Sequence, residues 1–466
     1  MRFAARRSLP VAPLAVLIAT AALTWGCSNK DIGTYPGKNI LVISVDTLRA
    51  DHLGAYGYSR VTSPAIDALS KRAITFEGAF APRGSTWPSL ATMLTSLSPA
   101  THNVRENGQY MAADTPTIAG MLVKAGYEAE AFVSGSICHL TQRIAAFGKT
   151  TCGDDAFVAS KASDFLRSRK GQPFFAWLHL IAPHGPYDPP PAHDVFTKAD
   201  YNGPVGRDQA TLGELIRSQR PLTDADRAQL YGLYDGEIRF ADAQIALVLQ
   251  ALEEQGLRGN TIIAFLADHG EELGDHNGYL YHACSVYDSV LRIPMMIALP
   301  DAAAAGMRFS QIVQTADLAP TLLAMVGVES LPTFEGRSLL PGLNGRDHAS
   351  AQDPDFEPSV ASEWYDATQR NTVQTLRTPR WRYVSNPYGI TPRCPPKGDY
   401  FKVAREELYD HAADPLDLHN VAAGHPDLTR RFAKIVEAPH AASAKAMMQP
   451  LDKNLEEELR SFGYVE

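Results

Sequence analysis

Two apolar runs, separated by more than two hundred residues, each end abruptly in residues that bind metal ions. The first run is Asn39–Val45, followed by Asp46, and the second is Thr261–Ala267, followed by Asp268 and His269. Runs of Ile, Leu and Val without polar alternation are typical of strands buried on both faces of a parallel sheet. Because ligands of open α/β sheets lie beyond the carboxyl ends of the strands, we expect the three polar side chains to meet at one edge of one sheet.

Two carboxylates and an imidazole suit a divalent cation. The alternative for Asp46 and Asp268 is that each simply caps a following helix. The repetition of the pattern at two strand ends, with His269 in the second, favours the metal site.

The rest of the chain supports an α/β fold. Strand-like and helix-like stretches alternate between Asn39 and about Leu343, which predicts an α/β domain over residues 39–345. The predicted elements are a helix over Thr117–Gly126, a strand over Glu128–Val133, a helix over Asp154–Arg169, a strand over Phe174–Ile181, a helix over Asp224–Gln255 and a strand over Ile293–Leu299.

Polar and proline-rich stretches indicate the boundaries. Residues 189–222 are predicted to be an irregular surface excursion, and such a segment can act as a lid over a site. The composition turns polar near Arg346–Pro358, and beyond it we predict a C-terminal subdomain over residues 355–435. Trp381–Val384 and Glu407–Asp410 are expected to be strands of its small sheet, and residues 436–466 a helical tail.

The first 27 residues have the pattern of an export signal. A basic start is followed by an apolar run, Val11–Leu23, that is too short for a stable membrane-spanning helix of roughly 20 residues. Gly26-Cys27 then resembles the end of a bacterial lipoprotein signal, in which the cysteine carries the lipid. Thr24 and Trp25 depart from the usual residues there. A lipoprotein exposed to the periplasm or cell exterior is therefore expected, with an ordinary secreted protein as the alternative.

Four further cysteines remain beyond this segment. An even number in an exported chain suggests disulfide bonds. Cys138 and Cys152 are the natural local pair, and Cys284 would then pair with Cys394. The alternative is four free thiols. A zinc knuckle is not expected, because the sequence contains no CxxC spacing.

Thr86 occupies a position suited to a nucleophile. It precedes Pro88, and Leu90, Met93 and Leu94 follow at helical spacing, so Thr86 lies at or just before a helix N-terminus. Free backbone N–H groups favour an anion there, and a metal could activate the hydroxyl. The alternative is that Thr86 is only an N-cap. The net charge of −9 argues against a nucleic-acid partner.

Taken together, these segments resemble the sulfatase family of the alkaline phosphatase superfamily. The resemblance extends over nearly all of residues 39–425. The matching segments are, in chain order, Val45–Tyr58, Thr86–Thr95, His179–Tyr187, Ala267–Gly274, and Leu408–Asp410 with Asp414, Pro415 and Asn420.

The resemblance implies an alkaline-phosphatase-like α/β/α sandwich, with a mixed, largely parallel sheet and a smaller antiparallel C-terminal sheet. It implies hydrolysis through a covalent ester on the nucleophile, with one or two divalent metal ions. By position, the metal ligands are Asp46, Asp268 and His269, together with the nucleophile Thr86. The resemblance implies that two further residues, His184 and His282, contact the sulfuryl or phosphoryl group. Arg49 and His102 are expected to be supporting residues.

Departures from the family pattern shape the expected chemistry. Usual sulfatases carry Cys or Ser at the position of Thr86, and that residue is oxidised to formylglycine. Threonine would give a ketone instead, and Leu90 replaces the arginine of the recognition motif. Thr47 replaces a second aspartate of the opening motif, which disfavours an all-oxygen calcium site, while His269 favours zinc or manganese.

The sequence therefore predicts a metal-dependent hydrolase acting on a small anionic ester or on an envelope glycan or lipid, with a phosphate ester favoured over a sulfate ester. The alternatives are a sulfatase that uses unmodified Thr86, a transferase that moves a phospho-headgroup onto an envelope glycan, and a noncatalytic binding lipoprotein.

Overall fold

The computed structural model describes residues 31–276, 280–346, 360–366, 371–391 and 402–436. The predicted signal segment, most of the polar boundary stretch and the predicted tail beyond residue 436 lie outside these ranges. Within them, the strands are β1 (Asn39–Val45), β2 (Ile74–Phe80), β3 (Glu128–Ser134), β4 (Lys149–Gly153), β5 (Phe174–Leu180), β6 (Thr261–Ala267), β7 (Glu272–Leu273), β8 (Leu280–Tyr281), β9 (Arg292–Ala298), β10 (Arg308–Gln314), β11 (Val360–Asp366), β12 (Asn371–Arg377), β13 (Trp381–Ser385) and β14 (Glu406–Asp410).

The α-helices of the described residues are α1 (Pro64–Ser70), α2 (Thr86–Thr95), α3 (Pro99–His102), α4 (Ile118–Lys124), α5 (Ile137–Thr141), α6 (Asp155–Ser168), α7 (Gln209–Ser218), α8 (Asp224–Glu254), α9 (Asp288–Leu291), α10 (Leu318–Met325), α11 (Leu340–Leu343) and α12 (Pro426–Val436). Short 3₁₀ turns span Ala50–His52, Gly54–Tyr56, Arg258–Asn260, Thr315–Asp317 and Ala422–Gly424. Among the helices of the described ranges, none is both long and apolar enough to cross a membrane.

The large sheet has the order β10-β2-β9-β6-β1-β5-β3-β4. Its pairs are parallel except those made by β9, which runs antiparallel to β2 and β6. Every residue of β1, β5 and β6 is buried, as expected of central strands covered on both faces. Helices α1, α6 and α8 pack together as one group, and α2, α4, α5 and α10 as another. The predicted α/β/α sandwich is thus confirmed.

The small sheet has the order β11-β12-β13-β14, with every pair antiparallel. It contains both strands predicted for the C-terminal part. Arg382 of β13 attaches the small sheet to the larger part of the molecule, because Nη1 of Arg382 donates to the carbonyl oxygen of Val286 at 2.9 Å. The hydroxyl of Tyr287 likewise donates to Glu407 of β14 at 2.9 Å.

The predicted excursion over residues 189–222 is only partly irregular, because it contains α7. Asp208 caps this helix by accepting a hydrogen bond from the backbone N–H of Thr211 at 2.9 Å. Leu212, Leu215 and Ile216 are buried on one side, which is the i, i+3, i+4 spacing of an amphipathic helix. The proline-rich composition before the helix obscured this short pattern.

The predicted disulfide bond between Cys138 and Cys152 is present. Cys284 is also disulfide-bonded. Its predicted partner, Cys394, lies outside the described residues.

Candidate metal centre and active site

The carboxyl ends of three neighbouring strands bring Asp46, His179 and Asp268 together. β1 lies between β5 and β6, and its parallel register places the residues that follow β1 and β6 side by side. All three side chains are buried, and one ligand atom of each lies within 4.8 Å of the other two. This is the edge of the sheet where ligands of such folds bind.

His269 completes the cluster. Its Nε2 atom lies 3.7 Å from Oδ1 of Asp46 and 3.7 Å from Oδ2 of Asp268. Its Nδ1 atom is 2.9 Å from the carbonyl oxygen of Gly270. Since a carbonyl oxygen only accepts, Nδ1 carries a proton, and in the neutral ring the lone pair of Nε2 faces the two carboxylates. This is the usual way in which a backbone oxygen orients a metal-binding histidine.

Four atoms in this cluster that could bind a metal ion have no hydrogen-bond partner among the described residues. They are Oδ1 of Asp46, Oδ2 of Asp268, and Nε2 of both His179 and His269. Burying polar atoms without partners is costly, so such a concentration requires an explanation. Two carboxylate oxygens and two imidazole nitrogens form a donor set that fits a divalent cation with mixed oxygen and nitrogen preference.

The electrostatics of the cluster also favour a cation. Burial raises the pKa of Asp46 and raises the pKa of Asp268 to about 7. Burial alone would lower the pKa of His269, but the neighbouring carboxylates of Asp268 and Asp46 outweigh it and raise that pKa. A bound cation would oppose this upward shift and favour the ionised form of both carboxylates.

Thr86 is the first residue of α2, and it is buried. Its hydroxyl lies 3.3 Å from Oδ2 of Asp46. The helix is anchored to the metal cluster a turn later, because the hydroxyl of Ser89 donates to the carbonyl oxygen of Asp268 at 2.6 Å. The geometry places a hydroxyl beside the candidate metal ligands and at a helix N-terminus, where an anion is stabilised.

His184 and His282 stand next to this cluster. The ring centroid of His282 lies 4.6 Å from that of His269 and 5.0 Å from that of His184. Both rings are buried, which lowers the pKa of His184 to about 4 and the pKa of His282 well below its usual range. Nδ1 of His282 is 3.0 Å from Oε1 of Glu271, whose pKa burial raises to about 8.

The residues expected to play supporting roles do not line the cluster. Arg49 pairs with Asp51 and Asp275, and its Nη1 donates to the carbonyl oxygen of Glu271 at 3.1 Å. His102 contacts the Thr92 hydroxyl at 3.0 Å, and burial lowers its pKa to about 3. Arg49 thus supports the loop after β6, and His102 supports α2 at Thr92.

The departures from the family pattern are visible in the packing. Leu90 is completely buried within α2, where the recognition motif of the usual sulfatases has arginine. Thr47 adopts a left-handed backbone conformation, with φ of 51°, and its backbone N–H lies 3.2 Å from Oδ1 of Asp268. Thr47, which stands in the place of the second aspartate, therefore donates a backbone hydrogen bond to Asp268.

The structure brings together Asp46, Thr86, Asp268 and His269, with His184 and His282 beside them. Sequence reasoning missed His179 and Glu271. A signal for His179 exists, because it is the one polar residue of β5 and it follows Trp177 in an otherwise apolar run.

Two family models match the chain. One, described as Sulfatase, matches residues 38–328, and the other, described as N-sulphoglucosamine sulphohydrolase, C-terminal, matches residues 274–438.

Curated relatives and solved structures agree with these matches. The chain is 23% identical to an N-acetylglucosamine-6-O-sulfatase of Bacteroides thetaiotaomicron, over 95% of this chain and 90% of the relative. It is 25% identical to an arylsulfatase of Clostridium perfringens, over 65% of this chain and 77% of the relative. The crystal structure of a phosphonate monoester hydrolase of Agrobacterium radiobacter superposes with a TM-score of 0.67 at 22% identity, covering 86% of this chain and 94% of that one.

Proposed function

Since this chain belongs to the sulfatase family of ester hydrolases, we propose that it cleaves a phosphate or sulfate ester through a covalent intermediate on Thr86, with a phosphate ester as the preferred substrate. The observation that carries the proposal is the contact at 3.3 Å between the Thr86 hydroxyl and Asp46, at the first residue of a buried helix. A hydroxyl beside metal ligands is the arrangement from which a metal-activated nucleophile attacks an ester.

Four residues would hold the divalent cation, namely Asp46, His179, Asp268 and His269. When bound, the cation would supply positive charge that lowers the pKa of the Thr86 hydroxyl and offsets negative charge on the substrate. The imidazole donors favour zinc or manganese over calcium, since calcium takes oxygen ligands. The donor set suits one ion, and the oxygens of a bound ester would add ligands for a second.

The covalent chemistry takes place on the chain itself. Oγ1 of Thr86 forms a bond to phosphorus while the bond from phosphorus to the leaving oxygen breaks, and the proton given up by the hydroxyl is balanced by the one that the leaving oxygen takes up. Water then attacks the same phosphorus and the bond to Oγ1 breaks. The hydroxyl of the water stays on phosphorus, and its other proton regenerates the threonine. His184 and His282 contact the non-bridging oxygens, where interactions with developing charge contribute most to the rate.

The preference for phosphate rests on Thr86 and Leu90. A secondary alcohol cannot be oxidised to the formylglycine aldehyde, and the buried Leu90 stands where the maturation motif has arginine. An unmodified hydroxyl is a nucleophile suited to phosphoryl transfer. The solved phosphonate monoester hydrolase with the same fold makes a phosphorus ester a reasonable substrate class.

A sulfate ester is the second candidate substrate. It is favoured by the curated relatives, which are named as sulfatases, several of them acting on sugar sulfates. A phospho-headgroup transferase would use the same covalent intermediate and pass the group to a glycan hydroxyl rather than to water. A noncatalytic binding lipoprotein is disfavoured, because it would have no need of Thr86 beside the metal ligands.

The location of the protein belongs to the same proposal. Gly26-Cys27 after a short apolar run supports export and a lipid anchor on Cys27, facing the periplasm or cell exterior. Small anionic esters and envelope glycans or lipids are the substrates available there.

A substrate panel with defined metals tests the proposal. Aryl sulfate, aryl phosphate monoester, phosphate diester and phosphonate ester are each assayed with Zn²⁺, Mn²⁺ and Ca²⁺. We expect the highest kcat/KM for a phosphorus ester with Zn²⁺ or Mn²⁺. A preference for aryl sulfate would favour the second candidate, and turnover only when a glycan acceptor is added would favour the transferase. A protein that binds metal and turns over none of these substrates would contradict the hydrolase.

A further inference from the structure

Glu271 is buried in the middle of the site, two residues after the metal-ligand pair, and its carboxylate contacts two loops. Oε1 lies 3.0 Å from Nδ1 of His282, which belongs to the segment after β8. The hydroxyl of Tyr187, in the segment after β5, lies near the same carboxylate, and burial together with this neighbouring charge raises the pKa of Tyr187. One side chain therefore lies between two loops that are distant in sequence.

The contact with Glu271 determines which edge of the His282 ring faces the site. Because Nδ1 is occupied by Glu271, the ring can offer only Nε2 to the ester. The ring centroids of His269 and His184 lie 4.6 Å and 5.0 Å from that of His282. Tyr281 stacks on the face of the ring, with 4.2 Å between centroids and 17° between planes. The ring is thereby held by its edge and by its face.

Tyr187 lies in the same short segment as the other histidine. It follows His184 by three residues, after the end of β5. The Tyr187 ring meets Tyr234 of α8 edge-on, at 5.8 Å. Packing against α8 therefore supports the segment that carries His184.

We propose that Glu271 is a positioning residue for His282, one of the two histidines that contact the ester, and that it acts by holding the His282 ring in one orientation and one tautomer. This inference rests on the proposed function, in which His282 contacts the oxygens of the ester. Outer residues that orient an active histidine commonly contribute about 10- to 100-fold to activity.

Kinetics of three variants test the inference. Glu271→Ala should lower kcat about 10- to 100-fold, with little change in KM, because the ring loses its orientation and the ester still binds. Glu271→Gln should recover part of kcat, since the amide still holds the ring through Nδ1 although it accepts either tautomer. The matched control is Glu272→Gln, which changes the neighbouring buried glutamate that pairs with His276 instead. A Glu271→Ala variant with wild-type kcat would overturn the positioning role.

A double-mutant cycle separates positioning from general structural damage. If Glu271 acts through His282, adding Glu271→Ala to a His282→Ala background should lower kcat by little more than His282→Ala alone. Additive losses would overturn the inference. Metal content and thermal unfolding of each variant show whether the fold and the metal cluster are intact.

The tautomer of His282 can be measured without substrate, and this measurement tests the inference separately from the proposed function. The ring nitrogens of ¹⁵N-histidine-labelled protein report the tautomer of His282, assigned by comparison with His282→Asn. We expect a single tautomer in the wild type and a changed or averaged signal in Glu271→Ala. Identical His282 signals in the two proteins would overturn the inference. Inactivity on every ester of the panel, with the expected change in tautomer, would contradict the proposed function alone.

Discussion

Nε2 of His269 lies 3.7 Å from Oδ1 of Asp46, the residue that follows a neighbouring strand of the same sheet. This separation is too long for a hydrogen bond. A single cation with ligand bonds of about 2.0–2.2 Å can contact both atoms at this separation. Neither atom has a hydrogen-bond partner among the described residues, which also indicates that a cation binds between them.

The first prediction concerns the metal. Replacing Asp268 and His269 together by alanine should abolish bound metal and turnover, because the double variant removes one carboxylate and one imidazole of the cluster. Mass-spectrometric metal analysis of the purified protein measures the effect, with circular dichroism to show that the fold is retained. The matched control is His419→Ala, at a histidine side chain that is 81% exposed. Stoichiometric metal in the double variant would disprove the assignment.

The second prediction concerns His179. Its Nε2 lies 3.8 Å from Oδ2 of Asp46, while its Nδ1 is 2.9 Å from the hydroxyl of Ser44. Ser44→Ala should weaken metal binding about 10- to 100-fold, because it removes the contact that orients His179. His179→Ala should weaken it more than Ser44→Ala does, since a ligand itself is lost. Titration with a competing chelator measures both, and unchanged affinity in His179→Ala would show that this histidine is not a ligand.

Much of the fold could be predicted from apolar runs alone. β1 and β6 are mainly apolar stretches without polar alternation, and their parallel pairing brings Asp46 and Asp268 together as expected. Residues Gln209–Ser218 were expected to be irregular, because their helical pattern is short and lies within a proline-rich stretch. Pattern arguments perform worst on elements of this length, where packing decides the outcome.

The site was predictable only where its residues follow strands. Thr86 could be located by its relation to Pro88 and the helix behind it. His179 lies within a strand, so its contact with Asp46 depends on register, which the sequence does not specify. The role of Glu271 depends on two loops that lie close together in the folded protein. The spacing of residues along the sequence does not reveal that proximity.

The third prediction concerns pH and the attachment of the C-terminal part. His276 contacts Glu272 at 2.9 Å and the carbonyl oxygen of Leu416 at 2.8 Å. Burial would lower its pKa, but Glu272 outweighs burial and raises it from 6.5 to about 9. A raised folded-state pKa gives stability that is complete below pH 6.5 and is lost as the pH rises through 9.

The wild type should therefore lose on the order of 3 kcal/mol between pH 6 and pH 9.5 from this group, at about 1.4 kcal/mol per pKa unit. His276→Gln should lack that part of the pH dependence. Urea unfolding of both proteins at the two pH values measures the difference. Parallel pH profiles would contradict the prediction.

The fourth prediction concerns the anchor. Cys27→Ser should move the protein from the membrane fraction to the soluble fraction in a host that processes lipoproteins, because the lipid would have no attachment site. Ser28→Ala is the control, since it alters the neighbouring residue and leaves the cysteine in place. Membrane fractionation followed by immunoblotting measures the distribution. Unchanged fractionation of Cys27→Ser would disprove the lipoprotein assignment.

The fifth prediction concerns the nucleophile. Thr86→Ala should lower kcat by several orders of magnitude, because the covalent step loses its attacking oxygen. Thr86→Ser should keep much of the activity, since a hydroxyl remains at the N-terminus of the same helix. Thr86→Cys should not yield formylglycine even in a host with the maturing enzyme, because Leu90 occupies the arginine position of the motif, and peptide mass spectrometry would detect the modification.

The covalent intermediate can be observed directly. A reaction quenched during turnover of a slow phosphate ester should show a phosphoryl adduct on the peptide that carries Thr86, and the same peptide from Thr86→Ala should show none. Thr92→Ala serves as the control, because Thr92 lies on the same helix and contacts His102 rather than the metal ligands. Near-wild-type turnover by Thr86→Ala would rule out the covalent route, and direct attack by an activated water would then be the better account of the chemistry.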